Sequence, residues 1–141
     1  VTVADFNLES GYRLDETTVS FKPNTAEFVD KYAAVNAITE LSAVLKANSN
    51  RSILLVGSTA TYGDPGNCKM LSKQRAEAVK SLMIELGVSN NQINTVGIGQ
   101  DEAPFKVKDL SENGTFIENK AKINRAVFVF DSNSEKMKLY N

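Results

Sequence analysis

Arg75 is the residue whose type and position are best suited to chemistry. It lies about one turn into an expected helix that follows a glycine-punctuated loop, "GSTATYGDPGNC", residues 57–68. A helix N-terminus carries unpaired N–H groups and positive potential, so it attracts anions. A guanidinium beside it can take a carboxylate through two parallel hydrogen bonds. A carboxylate is therefore the expected ligand. Phosphate comes second, because "GDPGNCKMLS" lacks the glycine-lysine-serine/threonine order of a nucleotide-binding loop. The competing use is structural, with Arg75 a surface residue paired to a nearby acid.

Other chemistries are pruned by what the chain lacks. It has no histidine, which removes His-dependent nucleophiles and the common zinc and iron sites, and no metal or cofactor is expected. A single cysteine, Cys68, allows no internal disulfide. It sits near a helix start, where a thiol's pKa can fall, but without a histidine or second cysteine it is expected as a small polar cap rather than a nucleophile. No general base, metal cluster or activated nucleophile is visible, so an enzyme is not expected. A net charge of −1 argues against nucleic acid, which selects a basic face. The longest apolar run, "SILLVG", is far shorter than the roughly 18–20 residues that span a bilayer. The chain opens at Val1 with no leader-like stretch, which fits a mature or excised piece.

The elements that must position the loop and Arg75 are readable from periodicity. With 141 residues the chain can build one domain with a real core. Residues 1–18 read as a short strand or arm with a turn at Gly11. "TTVSFKP" reads as a strand with Val19 and Phe21 on one face, closed by Pro23. Phe28, Tyr32, Val35, Ile38, Leu41 and Leu45 step by three and four, one stripe of a helix, with Asn24 and Thr25 as caps and Glu27 completing a near capping box. "RSILLVGS" is a buried strand. A second helix runs from about Met70 through Leu71, Val79, Leu82, Met83 and Leu86, and Gly87 stops it. "NQINTVGIG" is a strand, residues 100–123 a long polar connection, and "RAVFVF" a last strand before a polar tail over 132–141. Alternating strands and helices favour an α/β two-layer sandwich with both helices packed on one face of one sheet. Phe28, Val35, Ile38, Leu41, Leu55, Val79, Leu82, Leu86, Val96 and Val127 are expected to share one core.

The run "LLVGSTATYGDPGNCKMLSKQRAEAVKSLMIELGV" resembles the central segment of OmpA-like (OmpA/MotB C-terminal) domains. Gly57, Thr59, Gly63, Leu71, Ser72, Arg75, Ala76, Val79 and Gly87 match that family's pattern without a gap. Upstream, "VSFKPNTAEF" is similar to its first strand and helix entry, with Asn24 at a polar, ligand-side position. Downstream, "INTVGIGQDEAP" and "NRAVFVF" are similar to its third and closing strands. The likeness spans residues 19–130 and sets a domain at 19–131.

The resemblance implies a β-α-β-α-β fold with a mixed sheet that binds peptidoglycan non-covalently through the diaminopimelate of the stem peptide. A loop Asp would meet the ligand's ammonium and the helix Arg, here Arg75, its carboxylate. Each desolvated charge would then have a partner. Three positions depart from the pattern. The family Asp falls on Ala60, the family Asn on Cys68, with Asn67 just before it, and the second Arg of the closing motif on Ala126. Asp64 is either a replacement acid or a turn residue before Pro65. The expected ligand set is thus Arg75, Asn24, Thr59, Asp64, Asn67 and Cys68. Two functions stay open: a cell-envelope module that anchors a membrane or surface protein to peptidoglycan, or an OmpA-like fold with a degenerated site serving as a protein–protein interaction or structural domain. The resemblance also admits a homodimer, which no apolar surface stripe in the sequence requires.

Overall fold

The computed structural model describes residues 12–14, 19–103 and 106–132. Among these residues, seven α-helices and strands follow one another, β1 (Tyr12–Leu14), α1 (Lys31–Ala47), β2 (Ile53–Ser58), α2 (Pro65–Glu85), β3 (Ile93–Gly99), α3 (Glu118–Asn124) and β4 (Ala126–Asp131), with a 3-10 turn at Asn90–Gln92 before β3. The strands form one mixed sheet in the order β1-β4-β2-β3, with β2 and β3 parallel and the other pairs antiparallel. The parallel pair needs a long crossover, which α2 supplies.

Both long helices pack on the same face, as the α/β sandwich requires. Ile38, Leu41 and Leu45 of α1 and Ala76, Val79, Leu82 and Met83 of α2 share one cluster with Leu14, Ile53, Leu55, Val127 and Val129. Fully burying Val79, Leu82 and Met83 contributes about 1.5–3 kcal/mol each. The other face of the sheet carries Leu54, Val56, Ile98, Ala126, Phe128 and Phe130. Val96 packs with this second cluster. It therefore lies across the sheet from the core expected for it, because its partner in register is Val56. Phe28, Val35 and Leu86 pack against the first cluster while only partly buried, and Tyr32 points outward at 85% exposure.

Four features differ from the sequence expectation. The first strand of the sheet is β1, paired with β4, whereas Phe21 makes only an isolated bridge to Phe28. That bridge closes a tight turn in which Asn24 takes a φ of 60° and the Thr25 hydroxyl donates to the Lys22 carbonyl. Asn24 and Thr25 thus shape this turn, and α1 begins later, where the Asp30 carboxylate accepts from the Ala33 N–H. α2 begins earlier than Met70, at Pro65, with the Asp64 carboxylate accepting from the Asn67 N–H. Proline at the first helical position and an acid before it are a favourable helix start. α3 is the fourth departure, a short helix inside the expected polar connection. The Gly11 turn and nearly all of the tail lie outside the described residues.

Candidate functional site

α2 lies very close to the sheet, and this sets the position of Arg75. A Cβ at Gly57 would stand 1.9 Å from the Ser72 carbonyl oxygen, and one at Gly97 would stand 2.4 Å from the Lys73 nitrogen. Only glycine permits this backbone-to-backbone approach. The Ser72 hydroxyl locks it, donating to the Lys69 carbonyl and accepting from the Gly99 N–H at 2.9 Å.

One helical turn further on, Arg75 reaches across to the 20–29 turn. Its Nε donates to the Thr25 carbonyl at 2.8 Å, and its guanidinium carbon lies 5.1 Å from the centre of the Phe21 ring, a cation–π distance. Phe21 is itself stacked on Phe28 at 4.9 Å. Arg75 therefore pins the turn to α2 and at the same time forms part of a cavity of about 610 Å³.

Four of the six expected ligand residues meet in that cavity: Arg75, Asn24, Thr59 and Cys68. Asp64 and Asn67 are placed together at the exposed start of α2 instead, joined by the cap bond, and neither lines the cavity. Ala60, at the position of the family Asp, is on the wall and 4% exposed. Tyr62 and Phe116 also contribute, with ring centres 5.7 Å apart. Two further charged residues line the wall: Glu118, which no motif marked, and Arg125, which falls in the family-like closing motif but was given no ligand role. Glu118 opens α3, and Arg125 precedes β4; the Glu118 Oε1 accepts from Arg125 Nη2 at 2.6 Å. That hydrogen bond, together with the charge of Arg125, holds the Glu118 carboxyl below its ordinary value.

The loop between β2 and α2 is held from behind by the segment leading into α3. Buried Asp109 accepts from the Thr61 N–H at 2.8 Å and from Asn124 Nδ2 at 3.0 Å. Burial opposes its charge, but the hydrogen bonds from Thr61 and Asn124 outweigh that and keep its carboxyl below the ordinary range. Lys106 Nζ donates to the carbonyls of Thr59, Gly99 and Asp101. Desolvation lowers its pKa against the pull of Asp109 and Asp101. Gln100 Nε2 donates to the carbonyls of Tyr62 and Gly63 and lies 3.4 Å from the Cys68 sulfur, while the Cys68 thiol donates to the Tyr62 carbonyl. Cys68 is thus built into the loop's hydrogen bonding. Among the described residues, no group of three or more Cys, Asp or Glu side chains could hold a metal ion. No helix among them is long and apolar enough to cross a membrane.

A family model described as the OmpA family matches residues 20–126. The probable lipoprotein YiaD of Escherichia coli (strain K12) is 29% identical over 93 residues, covering 66% of this chain and 38% of that protein. The peptidoglycan-associated lipoprotein of Buchnera aphidicola (subsp. Baizongia pistaciae, strain Bp) is 33% identical over 85 residues, covering 60% of this chain and 48% of that protein. The chain spans less than half the length of these two relatives. Among solved structures, the peptidoglycan-associated lipoprotein from Burkholderia pseudomallei superposes with a TM-score of 0.65 at 24% identity, covering 81% of this chain and 88% of that one. The periplasmic domain of Helicobacter pylori MotB gives 0.62 at 18% identity, covering 92% and 78%. These structures share the fold, and the family match, running over most of the length from the 20–29 turn to the first residue of β4, establishes that this chain belongs to the OmpA family.

Proposed function

We infer that this chain is a non-enzymatic module that binds peptidoglycan non-covalently and ties a membrane-anchored or surface protein to the cell wall. The observation that carries this is the meeting of Arg75, Asn24 and Thr59 on the walls of one cavity, although they come from three separate segments of the chain. The guanidinium would take a carboxylate of a diaminopimelate stem peptide, in a cleft whose walls are otherwise largely apolar. Two relatives are named as peptidoglycan-associated, which supports the same partner and an extracytoplasmic place in the cell envelope. Ala60 is the observation that favours the second reading, an interaction domain with a degenerated site.

Sedimentation with purified diaminopimelate-type sacculi separates the two. The wild type should pellet with sacculi and be released by free meso-diaminopimelate. Arg75→Ala should lose a charge-assisted contact of about 1.5–3 kcal/mol, or about ten- to a hundredfold in affinity. Arg75 also pins the 20–29 turn, so Arg75→Lys, which keeps a cation but loses the fork, is run beside it with a thermal melt of each. A wild type that stays in the supernatant refutes the binding module and leaves the interaction domain.

A further inference from the structure

The cavity has a charge pattern that neither the loop motif nor the family match assigns. Among the described residues, three charged side chains line it: Arg75, Arg125 and Glu118. Among the described lining residues Glu118 is the single carboxylate. The β2–α2 loop contributes no acid to the wall, since Ala60 stands there and Asp64 is committed to the cap of α2. Among the described lining residues, the negative charge of the cavity is therefore on α3.

Glu118 is also held in a way that leaves it able to bind. Arg125 grips one of its oxygens, Oε1, and the second, Oε2, makes no hydrogen bond to any described residue. Its side chain is 57% exposed. Next to this pair, Ser58 is opposite Ala126 in register, and its buried hydroxyl, which has no hydrogen-bond partner among the described residues, borders the same cavity. A ligand carrying both signs of charge needs a partner for each on leaving water. We propose that Glu118, oriented by Arg125, receives an ammonium group of the ligand and takes the place of the loop carboxylate absent at Ala60. This rests on the peptidoglycan reading above. The stem peptide then lies across the cavity, its carboxylate towards Arg75 and its ammonium towards α3.

The test compares two probes of equal chain length: meso-diaminopimelate, and pimelate, which lacks both ammonium groups. Binding of each to the wild type, Glu118→Gln and the double variant Ala60→Asp/Glu118→Gln is measured by NMR titration. Glu118→Gln should weaken meso-diaminopimelate by about three- to tenfold, the range for a partly exposed charge pair, and leave pimelate unchanged or tighter. Ala60→Asp in that background should restore the preference from the loop side. A parallel loss of both probes in Glu118→Gln would make Glu118 a mere support for Arg125 and overturn the assignment. An unchanged preference in Glu118→Gln, with binding still lost in Arg75→Ala, overturns it while leaving the peptidoglycan reading intact. A wild type that binds neither probe removes both.

Discussion

Gly57→Ala is the sharpest test of how α2 is seated. The new Cβ would stand 1.9 Å from the Ser72 carbonyl oxygen, where ordinary contact begins near 3.4 Å. About 1.5 Å of displacement is required, and the obstacle is backbone that no rotamer change can relieve. Moving α2 outward by that distance loosens Ala76, Val79, Leu82 and Met83, each 3% exposed or less. A gap of 0.5–1 Å already forfeits a quarter to a half of a contact's dispersion energy, and overpacking alone costs about 1–3 kcal/mol. With four buried side chains affected, the expected loss is about 3 kcal/mol or more. For a chain of this size, that lowers the melting temperature by about 10 °C. Urea unfolding of the wild type, Gly57→Ala and Gly63→Ala measures it. Gly63 has no atom within 4 Å of its Cβ position and a φ of +86°, so its alanine variant costs only about 1 kcal/mol of backbone strain. A Gly57→Ala protein within 1 kcal/mol of the wild type (about 1 kcal/mol being the size of that strain) refutes the close-approach argument.

Asp64→Ala removes the cap of α2 and should cost about 0.5–2 kcal/mol in denaturant unfolding, without changing affinity for meso-diaminopimelate. Gln92→Leu should cost about 1–3 kcal/mol in the same assay, because Gln92 Nε2 donates to the carbonyls of Leu45, Asn48 and Arg51 and these lose their partner. Asp109→Asn should cost about 1–2 kcal/mol near neutral pH by weakening the bonds from Thr61 and Asn124. Because the folded carboxyl is held below its unfolded value of 3.8, its ionisation stabilises the fold above that value and the gain is lost as pH falls through the folded value. The unfolding curves of the wild type and Asp109→Asn should therefore converge in acid, and a constant gap down to pH ~2 would count against this account.

The order of α1, β2, α2, β3 and β4 was legible because each carries its own periodicity or apolar run. β1 was not, since three residues become a strand only by pairing with β4. Val19 and Phe21 alternate as a strand would, but the chain turns back at Asn24 and pairs Phe21 with Phe28 instead. The capping pattern at Asn24 and Thr25 was satisfied by that same turn, while Asp30 took the cap of α1. Val96 was assigned to the wrong face because a sheet buried on both sides shows no polar alternation to mark inside from outside. For the site, Arg75, Asn24, Thr59 and Cys68 were found through a linear pattern and do line one cavity. Glu118 and Arg125 could not be found that way. Glu118 lies in a segment that looks like a polar connection, Arg125 opens a run read only as a strand, and their relation to Arg75 exists only after folding.

The strand order β1-β4-β2-β3 has a consequence for the timing of folding. β4 is the last of the described elements along the chain, yet it occupies an interior position between β1 and β2. The β2-α2-β3 crossover can assemble from neighbouring residues, but until β4 inserts, β2 is a bare edge and Leu54 and Val56 lack Phe128 and Phe130 as neighbours. Closing the sheet waits on contacts between residues far apart in sequence, the slow kind. Arg125, Ala126 and Val127 arrive in that same step and complete the cavity. A chain still emerging from the ribosome, or cut before residue 125, has an open hydrogen-bonding edge and no finished site. Closure of the cavity and protection from edge-to-edge aggregation are therefore acquired together, when β4 inserts.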